Sequence, residues 1–107
     1  MSDDEELIAD FNLKYVMYYD GTGHRLGPSH CKLTNRRLVI NDAIGDTHQI
    51  LVKDIAAVGP PQSSLLSKSV NVELRGAPAV YQLDCRDRNQ MKAVLFSLQM
   101  AIQESRR

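Results

Sequence analysis

The chain has 107 residues, of which 43% are apolar, so a single core can form without disulfides or metals. Lys plus Arg equal Asp plus Glu at 13 each, which leaves no global field to attract nucleic acid; nucleic acid is not expected as a partner. Apolar runs are only a few residues long against the roughly 20 needed to span a bilayer, and the start (Ser2, Asp3, Asp4, Glu5, Glu6) is acidic where a secretory signal is basic. A soluble intracellular chain is expected.

In chain order, Ser2 with Glu5 fits a capping box, and Leu7, Ile8 and Phe11 can form a short apolar face. Residues 1–12 therefore read either as an acidic tail or as a short helix, ahead of a domain over 13–107. Tyr15 to Tyr19 is β-branched or aromatic for the most part and ends at Asp20-Gly21, a turn pair, which gives a first strand. The loop after it is expected to run to Pro28, because Gly27-Pro28 punctuates and proline cannot donate into a central ladder.

From His30 to Asp42 the period is two. Cys31 and Leu33 alternate with Lys32 and Thr34, and Leu38 and Ile40 alternate with Arg37, Val39 and Asn41. Thr34-Asn35-Arg36-Arg37 between them is a turn, so the segment is a hairpin. Ile50, Val52, Ile55 and Val58 fit two short strands with a kink at Asp54. Gly59 to Ser69 is a loop rich in Gly, Pro and Ser that carries Leu65 and Leu66. Val70, Val72, Leu74 and then Tyr81, Leu83, Cys85 give the last two strands, turned by Gly76-Ala77-Pro78. Beyond Asp87 the period becomes helical, through Met91, Val94, Leu95, Leu98 and Ile102, with Asp87 as cap and Gln90 at the capping-box position. The fold class is mainly β with one C-terminal α-helix covering the open end of a bent sheet pair or partly open barrel.

Leu33-Thr34-Asn35-Arg36-Arg37-Leu38-Val39-Ile40, followed by Ile50-x-Val52-x-x-Ile55-x-x-Val58, resembles the strand pair and later apolar run of GRAM and GLUE domains, variants of the seven-stranded pleckstrin-homology (PH) superfold found on membrane-trafficking proteins. Tyr19-Asp20-Gly21 and Ser64-Leu65-Leu66-Ser67-Lys68-Ser69 resemble the GLUE domain of the ESCRT-II sorting complex. Ser29 replaces the glycine usual at the second strand, Ile40 the aromatic that often ends the third, and Asn71 the second basic residue of the loop before strand six. The resemblance implies an adaptor that recognises a protein partner, ubiquitin or complex subunits, or a phosphoinositide membrane surface. It would work in the cytoplasm, peripheral to endosomal or other membranes. The alternative is a purely protein-binding PH variant within a larger complex.

Each candidate site has two readings. Arg25, Lys32, Arg36, Arg37, Lys53 and Lys68 either bind inositol phosphates at the open end or form a solvated face. Leu65 and Leu66, beside Lys68, make either a tip for a membrane or partner pocket, or a loop folded over the core. Phe96 and Met100, off the main helical stripe, are a partner surface or part of a wide packing face. His24, His30 and His48 are not within four residues of one another, His30 and Cys31 are strand neighbours that point to opposite faces, and Cys31 and Cys85 show no CxxC spacing, so neither metal nor cofactor is expected. No nucleophile elbow or phosphate loop is present, and no enzyme is expected.

Overall fold

A computed structural model describes residues 5–59 and 68–106. Seven strands, β1 (Leu7–Tyr19), β2 (Gly23–Thr34), β3 (Arg37–Asn41), β4 (Thr47–Leu51), β5 (Ile55–Gly59), β6 (Ser69–Leu74) and β7 (Val80–Asp84), precede one helix, α1 (Arg88–Ser105). The strands form one antiparallel sheet in the order β4-β3-β2-β1-β7-β6-β5. Two meanders, β1 to β4 and β5 to β7, are thus joined because β1 also pairs with β7. A short 3-10 turn over Val52–Asp54 supplies the expected kink, burying Val52 between β4 and β5.

The alternating patterns lie where the sequence puts them. Cys31, Leu33, Leu38, Ile40, Val70, Val72 and Leu83 are fully buried, and Val94, Leu98 and Ala101 bring the helix onto them. The turn from β2 to β3 is held by Thr34, whose Oγ1 accepts from the Arg36 and Arg37 amides at 3.1 Å each. Asp87 caps α1 by accepting from the Gln90 amide at 2.8 Å.

Two expectations are corrected. Leu7–Asn12, read as a tail or short helix, is the first half of β1, paired with β2 from Thr34 back to His30. Its helical apolar spacing is mimicked by a bulge: Leu7 faces Thr34 and Ala9 faces Leu33, so Ile8 is the extra residue. Ser2 lies outside the described residues. The second correction concerns β2, which starts at Gly23 and runs through Pro28. Here the register steps from Leu13 opposite Ser29 to Val16 opposite Gly27, and a second bulge lets proline sit in a strand without owing a ladder N–H. Gly27 adopts φ +77°, a conformation that strains any other residue, and a Cβ there would also press on the Ala43 Cβ at 3.1 Å.

Candidate functional site

The turns β1–β2, β3–β4 and β6–β7 lie at strand ends where the resemblance places ligand-binding cations. Carboxylates and histidines occupy much of that surface. Asp20 accepts from the Thr22 amide at 3.2 Å and lies 3.0 Å from His24 Nε2. Asp42 accepts from the Ile44 and Asp46 amides at 3.1 and 2.9 Å, with its other oxygen 2.8 Å from His48 Nε2. The His24 and His48 hydrogen bonds are the main reason that both carboxyls titrate below their ordinary value. Of the six proposed cations only Arg25 is at this end, on β2 opposite Met17.

The others are scattered. Arg36, Arg37 and Lys53 gather at the far end of β2, where the Val52 amide donates to the Arg36 carbonyl at 2.8 Å. Most of β2, from Arg25 to Thr34, separates them from Arg25, roughly 30 Å of strand at ~3.3 Å per residue. Lys32 is opposite Asp10 in mid-strand, and Lys68 directly precedes β6. Arg37 is moreover engaged: its Nε and Nη2 donate to the two oxygens of Glu5 at 2.7 Å each, a bidentate pair that raises the guanidinium pKa and lowers that of the carboxyl. Leu65 and Leu66 lie outside the described residues.

Phe96 and Met100, in contrast, are displayed. They are 64% and 40% exposed, one turn apart on α1, while Leu7 near the start of β1 is 61% exposed. α1 descends beside the first half of β1: the Gln90 side-chain Nε2 donates to the Asn12 carbonyl at 2.7 Å, and ten residues later Met100 lines a groove with Leu7, Ile8, Glu6, Asn35 and Glu104. That groove measures about 250 Å³. Its strand wall is unusual because β7 pairs only with Tyr15–Tyr19, so the Leu7–Leu13 half has a strand neighbour on one side only. The Asn12 carbonyl points away from β2, and by alternation the Asp10 amide and carbonyl do too. Sequence reasoning singled out Phe96 and Met100 but missed Leu7 as their companion, since a residue read as helix or tail carries no register.

Burial pushes the Cys31 thiol up to about 12 and the Cys85 thiol up to about 11, so both stay protonated. Among the described residues, no three His, Cys, Asp or Glu side chains are grouped to hold a metal ion.

No protein-family model matches the chain, and no curated protein sequence does. Solved structures do. An activated truncation of Vav1, an exchange factor with PH and C1 domains, superposes with a TM-score of 0.74 at 15% identity, over 92% of this chain and 26% of that one. The fold is PH-like. A chain of the 8S snRNP assembly intermediate matches this PH-like fold with a TM-score of 0.76 at 13% identity, over 92% of this chain and 83% of its own length. The Ran-binding domain of Nup2 from Ashbya gossypii matches at 0.72 and 11% identity, over 96% and 99%. The chain thus spans about a quarter of the Vav1 chain and nearly all of the Nup2 domain.

Proposed function

We propose that this PH-like chain is a non-catalytic adaptor of the GRAM/GLUE kind that recognises a protein partner, working in the cytoplasm on membrane-trafficking assemblies. The observation that carries the reading is the groove between α1 and the single-sided half of β1. An unpaired strand edge offers backbone donors and acceptors to an incoming extended segment, and Leu7 and Met100 offer apolar contacts to its side chains, with Phe96 exposed one turn before Met100 on α1. Exposed apolar groups assembled around a groove suit a partner better than they suit water. Two of the solved neighbours are themselves a Ran-binding domain and part of an assembly intermediate, which favours protein recognition in this branch of the fold. The six cations named for a phosphoinositide surface do not converge, so the membrane reading has less support than the partner reading.

Ubiquitin is the partner that the GLUE resemblance implies. Titrating isotope-labelled protein with ubiquitin to about 1 mM should shift the amides of Leu7, Phe96 and Met100 if ubiquitin is the occupant. No shift removes ubiquitin. The groove itself is tested by comparing what wild type and a folded Phe96→Ser/Met100→Ser variant retain from cell extract. Identical sets of retained proteins would sink the docking role.

A further inference from the structure

The groove between α1 and the first half of β1 has a polarity as well as an apolar wall. Glu6 and Glu104, both exposed, line it together with Leu7, Ile8, Asn35 and Met100, and neither lysine nor arginine does. The nearby guanidinium of Arg37 is spent on Glu5, which holds it through both carboxylate oxygens. Further along the strand Asp10 is exposed as well, with one oxygen hydrogen-bonded to His30 and with Lys32 opposite it on β2.

The strand edge fixes how an extended segment lies in such a groove. Because the Asp10 amide and carbonyl both point away from β2, they form a donor–acceptor pair for one residue of an added strand. The side chain of that residue projects on Asp10's face of the sheet. Those of its two neighbours project on the opposite face, which bears Phe11 and is covered by α1. The ladder stops at Asn12, whose carbonyl already accepts from Gln90, so the segment runs from Asp10 toward Leu7 and ends at the rim formed by Glu6 and Glu104. Carboxylates thus meet its outer face and its end, and Met100 meets its inner face.

We propose that the groove takes an extended peptide segment in which apolar residues alternate with lysine or arginine, which rests on the partner reading and gives the partner's docking segment a chemistry. Long cationic side chains suit the site, since their stems lie along apolar surface while their heads reach the carboxylates. A segment with Asp or Glu at the same positions meets like charge directly across the strand pair and is rejected. A second copy of this chain is rejected on the same ground, because antiparallel pairing of two such edges about Asp10 sets Asp10 against Asp10.

The probes are short capped peptides in which valine alternates with lysine, with serine or with glutamate, each titrated into isotope-labelled protein. The lysine peptide should shift the amides of Leu7, Asp10 and Met100 saturably and slow hydrogen exchange at Asp10, whose amide faces no strand in the free protein. It should bind about tenfold more tightly than the serine peptide at low salt, and the glutamate peptide should not bind. Glu6→Gln/Glu104→Gln should erase most of that preference, as should raising the salt to about 0.5 M, whereas Glu73→Gln on β6 should leave it unchanged. Equal binding of the lysine and serine peptides overturns the basic occupant and leaves the partner reading standing. No protection of Asp10 by any of the peptides overturns strand addition. The partner reading then stands only if the Phe96→Ser/Met100→Ser variant still changes what is retained from extract, and falls too if it does not.

Discussion

The two halves of β1 are built on different principles. Tyr15–Tyr19 lies between β2 and β7, with Val16 fully buried and the Tyr18 ring 4.5 Å from that of its register partner Tyr81. Leu7–Leu13 has β2 on one side only, and side chains from remote positions secure it. Glu5 grips Arg37 and Thr34, Asn35 accepts from the Glu6 amide at 2.8 Å, and Gln90 reaches from α1 to the Asn12 carbonyl. A strand with two neighbours has its backbone groups satisfied by the ladder; one with a single neighbour depends on whatever side chains the tertiary fold delivers.

The helix delivers one of those side chains, so undocking it should have the largest effect. Leu98 is fully buried, and Leu98→Ala should cost about 2–5 kcal/mol in urea unfolding through lost transfer energy and a cavity. A cost under about 1 kcal/mol would mean that α1 is not seated as described. Gln90→Ala should come next, at about 1–3 kcal/mol, because it strips partners from both the Asn12 carbonyl and the Arg86 amide. Its signature is local: hydrogen exchange should quicken at Phe11 and Leu13, whose amides face β2, while Val16–Tyr18 keeps its protection. Uniform acceleration along β1 would erase the distinction between its halves. Asp87→Ala removes the cap alone, at about 1 kcal/mol, and should fray α1 without loosening Asn12.

The same contrast explains what could be read in one dimension. The period-two runs from Cys31 to Ile40 and from Val70 to Leu83 describe strands buried on one face, a local property, and the helical stripe beyond Asp87 is equally local. Leu7, Ile8 and Phe11 gave the wrong period because the bulge at Ile8 inserts a residue, and Pro28 gave a false boundary because a second bulge accommodates it. The site residues were harder still. Phe96 and Met100 stand off the apolar stripe and can be seen there, whereas the fate of each cation depends on register. Arg37 meets a carboxylate 32 positions away, and Lys32 lies opposite Asp10 only because β1 pairs with β2. Composition counts charges; strand pairing decides which ones meet.

Glu5 offers the finest test of how the first half of β1 is held, since its ion pair is partly exposed and the effect should be small and weakened by salt. The Arg37 hydrogen bonds, followed by that from Thr34, lower the Glu5 pKa in the folded chain from the ordinary 4.5. As pH falls past 4.5 the unfolded chain takes up a proton that the folded chain still refuses. The contribution is therefore whole above 4.5 and drains away as pH falls through the lowered folded value. Asp20 and Asp42 act in the same direction from their ordinary 3.8, through His24 and His48 at the other end of the sheet. In Glu5→Gln, thermal melts should start slightly lower at neutral pH and fall less steeply on acidification, with the remaining decline belonging to the two aspartates. Hydrogen exchange should quicken at Leu7 and Ala9 in the variant at pH 7. An acid decline as steep as that of wild type would show that the carboxylate does not hold the strand, leaving Gln90 and the Asn35 contact to fix this half of β1.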